Sequence, residues 1–330
     1  MKKVLVIGSN SFSGSDFIDL LLENKTYEVI GISRSPEKDP LFLAYKRRKS
    51  SKSFVFHQID LNRNFDKLIK LTDAFRPDYV VNFAAQSEVG PSWHTPWDWF
   101  QTNTVAFAHF LDYLKGLKYL KKYVHISSPE IYGSCKGVVK EDAPFSPSTP
   151  YAVSKAAADL LLFAYYKNFK IPLTIVRATN VYGPHQQLFK IVPRTVIAVK
   201  SGKVLELHGG GKAVKSYIHI RDVSDGELTV MEKGRPGEIY HFSPDEGIAV
   251  RKVVEMICGR MKVDINKASR DVAERLGQDN AYVIDSSKAR KEFAWKPRIA
   301  LTQGIDQVVD WIETNWDIIK KLPHEYIHKT

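Results

Sequence analysis

Tyr151 and Lys155 have the spacing in this chain most clearly suited to chemistry, because they lie four residues apart at the start of a predicted helix. Side chains four apart lie on one helical face, about one turn from each other. A tyrosine accepts the proton of a substrate hydroxyl only as a phenolate, and its unperturbed pKa is about 10. A nearby ammonium favours the phenolate. The pair therefore predicts the oxidation of an alcohol.

A glycine-containing turn near the start of the chain predicts a dinucleotide site. Gly8 and Gly14 enclose five residues between an apolar run and a helical pattern. Dinucleotide folds need a tight turn here, with backbone close enough to contact a pyrophosphate at a helix N-terminus. The central position holds Ser11 rather than glycine, followed by Phe12, and we expect the Ser11 side chain to narrow that approach. All four residues are predicted cofactor contacts.

The end of the second predicted strand indicates which dinucleotide is bound. NAD enzymes typically carry a carboxylate there for the adenosine ribose hydroxyls. Here the sequence reads Ser33-Arg34-Ser35. Arg34 suits a 2′-phosphate, and the serine hydroxyls can donate hydrogen bonds to it. This segment favours NADP over NAD, and the alternative is a solvated Arg34 with NAD bound.

These residues need strands and helices to position them, and the pattern of the first 180 residues supplies both. Near-continuous apolar strands separated by helices imply a parallel sheet covered on both faces, so we expect an α/β fold of the Rossmann type, doubly wound. After residue 182 the pattern loosens and predicts a smaller mixed α/β substrate lobe. We expect a cofactor domain at 1–180 and a substrate lobe at 181–330, with part of 215–240 returning to the first domain. Strands are predicted at 3–7, 27–32, 54–58, 79–83, 122–127 and 174–179, and helices at 16–23, 65–75, 98–115 and 152–169.

Composition excludes several other classes. The 330 residues carry a net charge of +11, with a basic run from Lys46 to Lys52 that we interpret as a solvated loop. No groove-reading module accompanies this charge, so nucleic-acid binding is not expected. The first apolar run is too short for a membrane span. Cys135 and Cys258 are far apart and lack clustered histidines, which predicts no metal site and favours a reducing cytoplasm.

The chain resembles the extended short-chain dehydrogenase/reductase family of sugar-nucleotide dehydratases and epimerases along essentially its whole length. The glycine turn, the Tyr-x-x-x-Lys spacing and two further strand ends carry the resemblance. Asp60-Leu61 stands where the family has a carboxylate near the adenine amino group. Ala84-Ala85 matches small residues that let backbone approach the cofactor, and the resemblance implies that Lys155 also bonds the nicotinamide ribose.

Within that family, a glutamate after the fifth strand favours a 4,6-dehydratase. The residue matching Ser128 bonds the sugar 4-hydroxyl beside the tyrosine, and dehydratases carry a glutamate at the position of Glu130, which removes the carbon-5 proton. Pro129 departs from the pattern, since dTDP-glucose enzymes have an aspartate there and GDP-mannose enzymes a serine. Sugar-nucleotide epimerases and decarboxylases therefore remain alternatives, and a non-catalytic Rossmann binding protein is a minor one.

The resemblance also implies a nucleotide-sugar substrate, without settling its base or sugar. The segment around Gln86 and Ser87 is similar to GDP-mannose enzymes, whereas that around Arg275 is similar to dTDP-glucose enzymes. Family members commonly dimerise through two long helices, so we expect a homodimer packed through helices near 100–115 and 152–169. The predicted substrate contacts are Gln86, Ser87, Asn180, Lys190, Lys215 and Arg275.

Overall fold

The computed structural model describes residues 1–48, 53–135, 137–274 and 281–328. Its strands are β1 Lys2–Ile7, β2 Tyr27–Ser33, β3 Phe54–Gln58, β4 Tyr79–Asn82, β5 Lys122–Ile126, β6 Val138–Val139, β7 Leu173–Ala178, β8 Asn180–Tyr182, β9 Leu205–His208, β10 Val214–Lys215, β11 Tyr217–His219, β12 Ile239–Phe242, β13 Ile248–Ala249, β14 Ser269–Val272 and β15 Ala281–Ile284. Its α-helices are α1 Phe12–Asn24, α2 Phe65–Phe75, α3 Pro96–Phe100, α4 Ala106–Leu114, α5 Pro150–Phe169, α6 Ile191–Lys200, α7 Ile220–Lys233, α8 Val250–Arg260, α9 Ile265–Ala268, α10 Ser287–Phe293, α11 Leu301–Thr314 and α12 Trp316–Ile319.

A seven-stranded parallel sheet forms the centre of the fold, in the order β12-β7-β5-β4-β1-β2-β3. Chain order reverses beside β1, which pairs with β2 on one side and β4 on the other. Apolar side chains of α1 and α7 pack on one face of the sheet, and those of α2, α4 and α5 pack on the other. The predicted α/β Rossmann-type fold is confirmed. In such sheets ligands bind outside the carboxyl ends of the strands, near this reversal.

All six strands and four helices predicted from the first 180 residues are present, with ends that differ by a few residues. The helix predicted at 98–115 is interrupted, because a π-helical turn at Gln101–Val105 separates α3 from α4. Helix α1 begins four residues earlier than predicted, because the Ser11 side chain caps it. Helix α5 begins at Pro150, with Thr149 as its cap.

Small sheets of mixed direction follow the central one along the chain. Strand β10 pairs antiparallel with β13 and parallel with β15, and β15 also pairs with β6. Two further pairs are parallel, β8 with β11 and β9 with β14. Helix α7 and strand β12 belong to the main sheet's layers although they lie late in the chain. The boundary between the lobes near residue 180 stays a prediction.

The basic run after residue 45 is not simply a solvated loop, which corrects the sequence interpretation. Arg47 and Arg48 both bond the carboxylate of Asp19, whose side chain is completely buried, and Arg221 bonds it from α7. Burial opposes the ionisation of Asp19, but these hydrogen bonds hold its pKa below the ordinary value. The charges therefore join three segments. Lys49 and Lys52 lie outside the described residues.

Among the described helices, none is both long enough and apolar enough to cross a bilayer.

A carboxyl group lies inside the core layer beneath the sheet edge. Glu227 of α7 is 1% exposed, and its Oε2 has no hydrogen-bond partner among the described residues. Burial raises the pKa of Glu227 well above its usual value of 4.5, and the nearby Asp16 carboxyl raises it further. The folded protein therefore favours the protonated, uncharged form of Glu227.

Burial of Glu227 makes the stability of the protein depend on pH, and Glu227→Gln should remove this contribution. Because the pKa of Glu227 is raised on folding, its contribution is present below the unfolded pKa and is lost as pH rises toward the folded pKa. Each unit of elevation removes about 1.4 kcal/mol. We expect the free energy of unfolding, measured with urea, to fall more between about pH 4 and pH 8 in the wild type than in Glu227→Gln. Glu246→Gln, at an exposed site, serves as the control, and equal losses in wild type and Glu227→Gln would contradict the prediction.

Candidate active site

Two adjoining cavities open at the carboxyl edge of the central sheet. One has a volume of about 520 Å³ and lies over the ends of β1 to β4. The other has about 730 Å³ and extends toward β5, β7 and the small sheets. Ser11, Phe83 and Ala85 line both, so the two spaces meet above the first turn of α1. One elongated ligand, or two ligands in contact, therefore fit across this edge.

The glycine turn has the shape that a dinucleotide pyrophosphate requires. Gly8 has φ of +87°, and a Cβ there would lie 2.6 Å from the Ala84 amide nitrogen. A Cβ on Gly14 would lie 2.5 Å from the Gly8 carbonyl oxygen. Ser11 does not narrow the approach as the sequence suggested, because its Oγ turns back to accept a hydrogen bond from the Gly14 amide at 3.0 Å. Phe12 begins α1, whose first amides face the cleft without intrahelical partners.

The end of β2 lines the smaller cavity with hydroxyls and cations. Ser33 Oγ accepts a hydrogen bond from the Asn10 amide at 2.9 Å, and the Asn10 side chain bonds the backbone and hydroxyl of Ser35. Arg34 and Lys38 line the same space, half-buried. Asp39 is also there, but its Oδ1 accepts from the Leu41 amide. The β2 end thus offers positive charge at the rim of this cavity.

The next two strand ends complete the smaller cavity. Asp60 and Leu61 line it after β3, and Asp60 Oδ1 accepts from the Asn62 amide at 2.8 Å. Ala84 and Ala85 line it after β4. The Ala84 amide donates to Asn82 Oδ1 at 3.0 Å, which keeps the strand end in place. The cradle around Gly8 and these small residues fits a dinucleotide.

Gln86 and Ser87 continue from β4 across the junction between the cavities. Asn103 bonds both the amide nitrogen and the carbonyl oxygen of Gln86, at 2.8 and 3.0 Å. Asn103 also bonds Ser154 of α5, so this segment is fastened to the helix that bears Tyr151. Ser87 lines both cavities.

Tyr151, Ser128 and Glu130 come together in the larger cavity. Burial raises the pKa of Tyr151, and the Glu130 carboxylate raises it further, whereas a hydrogen bond with Ser128 lowers it. Ser128 Oγ also accepts from the Glu130 amide at 3.3 Å, as the cap of a 3₁₀ turn at Pro129–Tyr132. The expected lowering of the Tyr151 pKa is therefore not produced by these protein groups.

Lys155 is buried one turn further along α5. Burial lowers the pKa of Lys155 to about 8, and the positive charge of Arg177 adds to this while Asp159 opposes it. Its Nζ donates to the Ile126 carbonyl at 2.8 Å and lies 3.3 Å from His125 Nε2. Burial also holds the pKa of His125 far below its usual value, so this imidazole is neutral and accepts from the ammonium.

An ion pair lies beneath this group. Arg177 of β7 donates to Asp159 of α5 at 2.8 Å, and both side chains are completely buried. Asp159 also accepts from Ser127 at 2.7 Å, and Arg177 bonds the hydroxyl of Tyr132. The pair thereby connects α5 to both segments that flank Ser128 and Glu130.

The predicted substrate residues do not all lie in one place, because Gln86 lines the smaller cavity and not the larger one. Asn180 and Lys215 line the larger cavity on β8 and β10. Lys190 also lines it, but its ammonium lies 2.7 Å from the Glu88 carboxylate, which offsets its charge. Arg275 lies outside the described residues.

Several cavity residues were not found from the sequence. Arg194 of α6 faces the larger cavity, as does Glu88, and Glu88 also raises the pKa of Tyr151. Glu325 and Tyr326 line both cavities from a segment late in the chain. The sequence holds no local signal for them, because each depends on contacts between distant parts of the chain.

Comparison with known proteins agrees with this geometry. A family model described as GDP-mannose 4,6 dehydratase matches residues 5–308. A dTDP-glucose 4,6-dehydratase of Xanthomonas campestris pv. campestris is 33% identical over 266 residues, covering 74% of this chain and 75% of that protein.

Solved structures give the same result. The dTDP-glucose 4,6-dehydratase DesIV of Streptomyces venezuelae, solved with NAD bound, is 28% identical with a TM-score of 0.89 over 96% of this chain and 98% of that one. A UDP-glucuronic acid 4-epimerase from Bacillus cereus is 27% identical, with a TM-score of 0.86 over 94% and 99%. The chain belongs to the GDP-mannose 4,6 dehydratase family, within the extended short-chain dehydrogenase/reductase enzymes that act on nucleotide sugars.

Proposed function

We propose that this enzyme is a 4,6-dehydratase of a nucleoside-diphosphate hexose. The observation that carries the proposal is the meeting of Glu130 with Ser128 and Tyr151 in a cleft that adjoins a dinucleotide-shaped cavity. A dehydratase needs both an oxidising pair and a separate base near carbon 5, and an alcohol dehydrogenase needs only the first. Relatives named as 4,6-dehydratases support the same reading.

In the first step of the proposed mechanism the carbon-4 hydroxyl is oxidised to a ketone. Tyr151 accepts the proton of the carbon-4 hydroxyl, and Ser128 holds that hydroxyl through its own hydrogen bond with Tyr151. Lys155 supplies positive charge one helical turn away. A nicotinamide bound in the smaller cavity would accept hydride from carbon 4 and, after water is lost, return it to carbon 6 while carbon 5 takes a proton from solvent. Its positive charge would favour the Tyr151 phenolate that the protein alone disfavours.

The second step is the loss of water. With carbon 4 as a ketone, the proton on carbon 5 becomes acidic and Glu130 removes it. The carbon 6–oxygen bond then breaks and a carbon 5–carbon 6 double bond forms. Pro129 has no proton to give, so we assign protonation of the departing hydroxyl to Glu130, which has just gained a proton. One carboxyl group then serves both halves of the elimination.

Epimerisation is the second candidate, and Pro129 favours it. The same oxidation followed by return to the opposite face of the sugar needs no acid at that position. The Bacillus cereus epimerase is nearly as similar to this chain in structure as DesIV is. Loss of carbon dioxide from a uronic acid is the corresponding option for a decarboxylase.

We infer that NADP is the preferred cofactor. Relatives of known structure bind NAD, but the β2 end of this chain carries Ser33, Arg34 and Ser35, with Lys38 lining the same cavity. Two cations and two hydroxyls match the charge and acceptors of a 2′-phosphate. The alternative cofactor is NAD, which would bind without a contact from Arg34.

We also infer a homodimer in which α5 packs against a second copy. An apolar stripe runs along this helix at Val153, Ala157, Leu160 and Ala164, and Leu160 is 59% exposed. Spacings of four, three and four are those of helices that pack side by side. Val105, between α3 and α4, is also exposed beside it.

Because neither described cysteine forms a disulfide, we assign the enzyme to the cytoplasm.

Glu130→Gln tests the proposed elimination. We expect the variant to reduce its cofactor when nucleotide sugar is added, because Tyr151, Ser128 and Lys155 are intact. It should lose at least about 100-fold in the formation of a product lighter by one water, since general base catalysis contributes roughly 10²–10⁴-fold. Product masses from dTDP-glucose, GDP-mannose, CDP-glucose, UDP-glucose and UDP-glucuronate measure this, with Tyr151→Phe as the control that loses both steps. Wild-type product of unchanged mass and inverted configuration would support epimerisation instead.

Arg34→Ala tests the cofactor preference. Removing a charged partner of the 2′-phosphate should weaken NADP binding by roughly 10- to 150-fold, because such hydrogen bonds contribute about 1.5–3 kcal/mol. NAD affinity of the same variant is the internal control and should stay within about twofold. Titration calorimetry of both cofactors gives the values. A wild type that binds NAD more tightly than NADP rejects the inference.

Leu160→Glu tests the homodimer. A charge at the centre of the apolar stripe would be buried without a partner in the dimer, so we expect the variant to elute as a monomer at micromolar concentration. Light scattering with size exclusion measures the mass. Val204→Glu, at an exposed valine away from α5, should leave the mass unchanged. A wild-type monomer, or a dimer unaffected by Leu160→Glu, argues against this interface.

A further inference from the structure

A segment near the end of the chain, residues 323–328, lies across both cavities. Pro323, Glu325, Tyr326 and Ile327 line the smaller cavity opposite the β2 end. Glu325 and Tyr326 also line the larger one. The segment follows α12, and thus crosses from the C-terminal helices to the cofactor side of the cleft. A dinucleotide in this space would have the segment as part of its wall.

His328 fastens the segment to α3. Its Nε2 lies 2.9 Å from Asp98 Oδ2, and its ring stacks on Trp99 with centroids 5.1 Å apart and planes 7° from parallel. Trp99 is completely buried, so the surface under the imidazole is rigid. The hydrogen bond to His328 also lowers the pKa of Asp98, which keeps this carboxylate ionised.

Tyr326 connects His328 to Phe189, on the side of the larger cavity. Its hydroxyl lies 3.0 Å from His328 Nδ1, and its ring meets Phe189 edge-on at 5.4 Å. With Nε2 donating to Asp98, Nδ1 accepts from the Tyr326 hydroxyl. Phe189 itself lines both cavities. The side chains of α3, His328, Tyr326 and Phe189 therefore form one continuous bridge over the junction of the cavities.

Charge contributes at the same place. Arg34 acts electrostatically on both Asp98 and Tyr326, which places the cation at the β2 end next to the fastening. Glu88 acts on Tyr326 from the substrate side. A cofactor that left the smaller cavity would thus have to break the contacts that residues 323–328 make with α3 and with Phe189.

We propose that residues 323–328 form a latch that retains the dinucleotide from one turnover to the next, with the His328–Asp98 contact as its catch. The proposal rests on the proposed function in one respect. A reaction that takes hydride from its substrate and returns it leaves the cofactor in its starting state, so exchange is unnecessary. An enzyme that released its cofactor in every cycle would be slowed by such a cover.

The experiment measures cofactor dissociation rather than activity. Full-length protein is loaded with NADP or NAD, mixed with excess unlabelled competitor, and followed by release of radiolabelled cofactor. We expect His328→Ala and Asp98→Ala each to raise the dissociation rate constant by about tenfold, and the double variant to add little more, because both remove one contact. Asp317→Ala, at an exposed carboxylate of α12, is the matched control and should not change the rate.

A second variant removes the latch entirely. Protein ending at Leu322 should lose its cofactor faster than His328→Ala and still bind it at equilibrium in excess. Unchanged dissociation in the single variants overturns the proposal, and they decide it even where the truncated chain does not fold. The rate of cofactor dissociation does not depend on the chemical reaction. If the variants release cofactor faster but the wild type forms no dehydrated product, the latch is supported and the proposed dehydration is rejected.

Discussion

The buried ion pair between Arg177 and Asp159 is the interaction on which the site depends. Two opposite charges without solvent are stable only when both keep their partners, because an isolated buried charge is far more costly than the pair. Asp159 holds α5 and the end of β5 through Ser127, and Arg177 holds the turn that follows through Tyr132. The segments that bear Lys155, Ser128 and Glu130 are therefore held in one register by this ion pair.

That same pair contributes to the electrostatics around Tyr151. Burial and the Arg177 guanidinium lower the pKa of Lys155, while Asp159 opposes them. Burial, Lys155 and Arg177 lower the pKa of His125 well below its usual value. Tyr151 meanwhile lies among carboxylates and apolar walls that raise its pKa. The protein by itself thus keeps Tyr151 protonated. The positive charge of an oxidised nicotinamide in the adjoining cavity would oppose these effects and favour the phenolate.

The sequence predicted those features that depend on local pattern. Strand positions followed from apolar runs, and the placement of Gly8 and Ala84 along one cavity followed because parallel strands end at one edge. Features set by distant partners were not predicted. Arg47 reads as a solvated cation until Asp19 is seen beneath it. Ser11 was judged by its size, whereas its hydrogen bond to the helix turned it away from the ligand.

Substrate recognition follows from how charge is balanced in the larger cavity. A nucleotide sugar brings a diphosphate, and cations in the cleft favour its binding. Lys190 lies in an ion pair with Glu88, and Lys155, Arg194 and Lys215 are further cations among the described residues that line the larger cavity. A diphosphate that took Lys190 would displace Glu88, and Glu88 is one of the carboxylates that raise the pKa of Tyr151. The diphosphate that replaced it would itself be negatively charged, so this exchange alone does not favour ionisation of Tyr151.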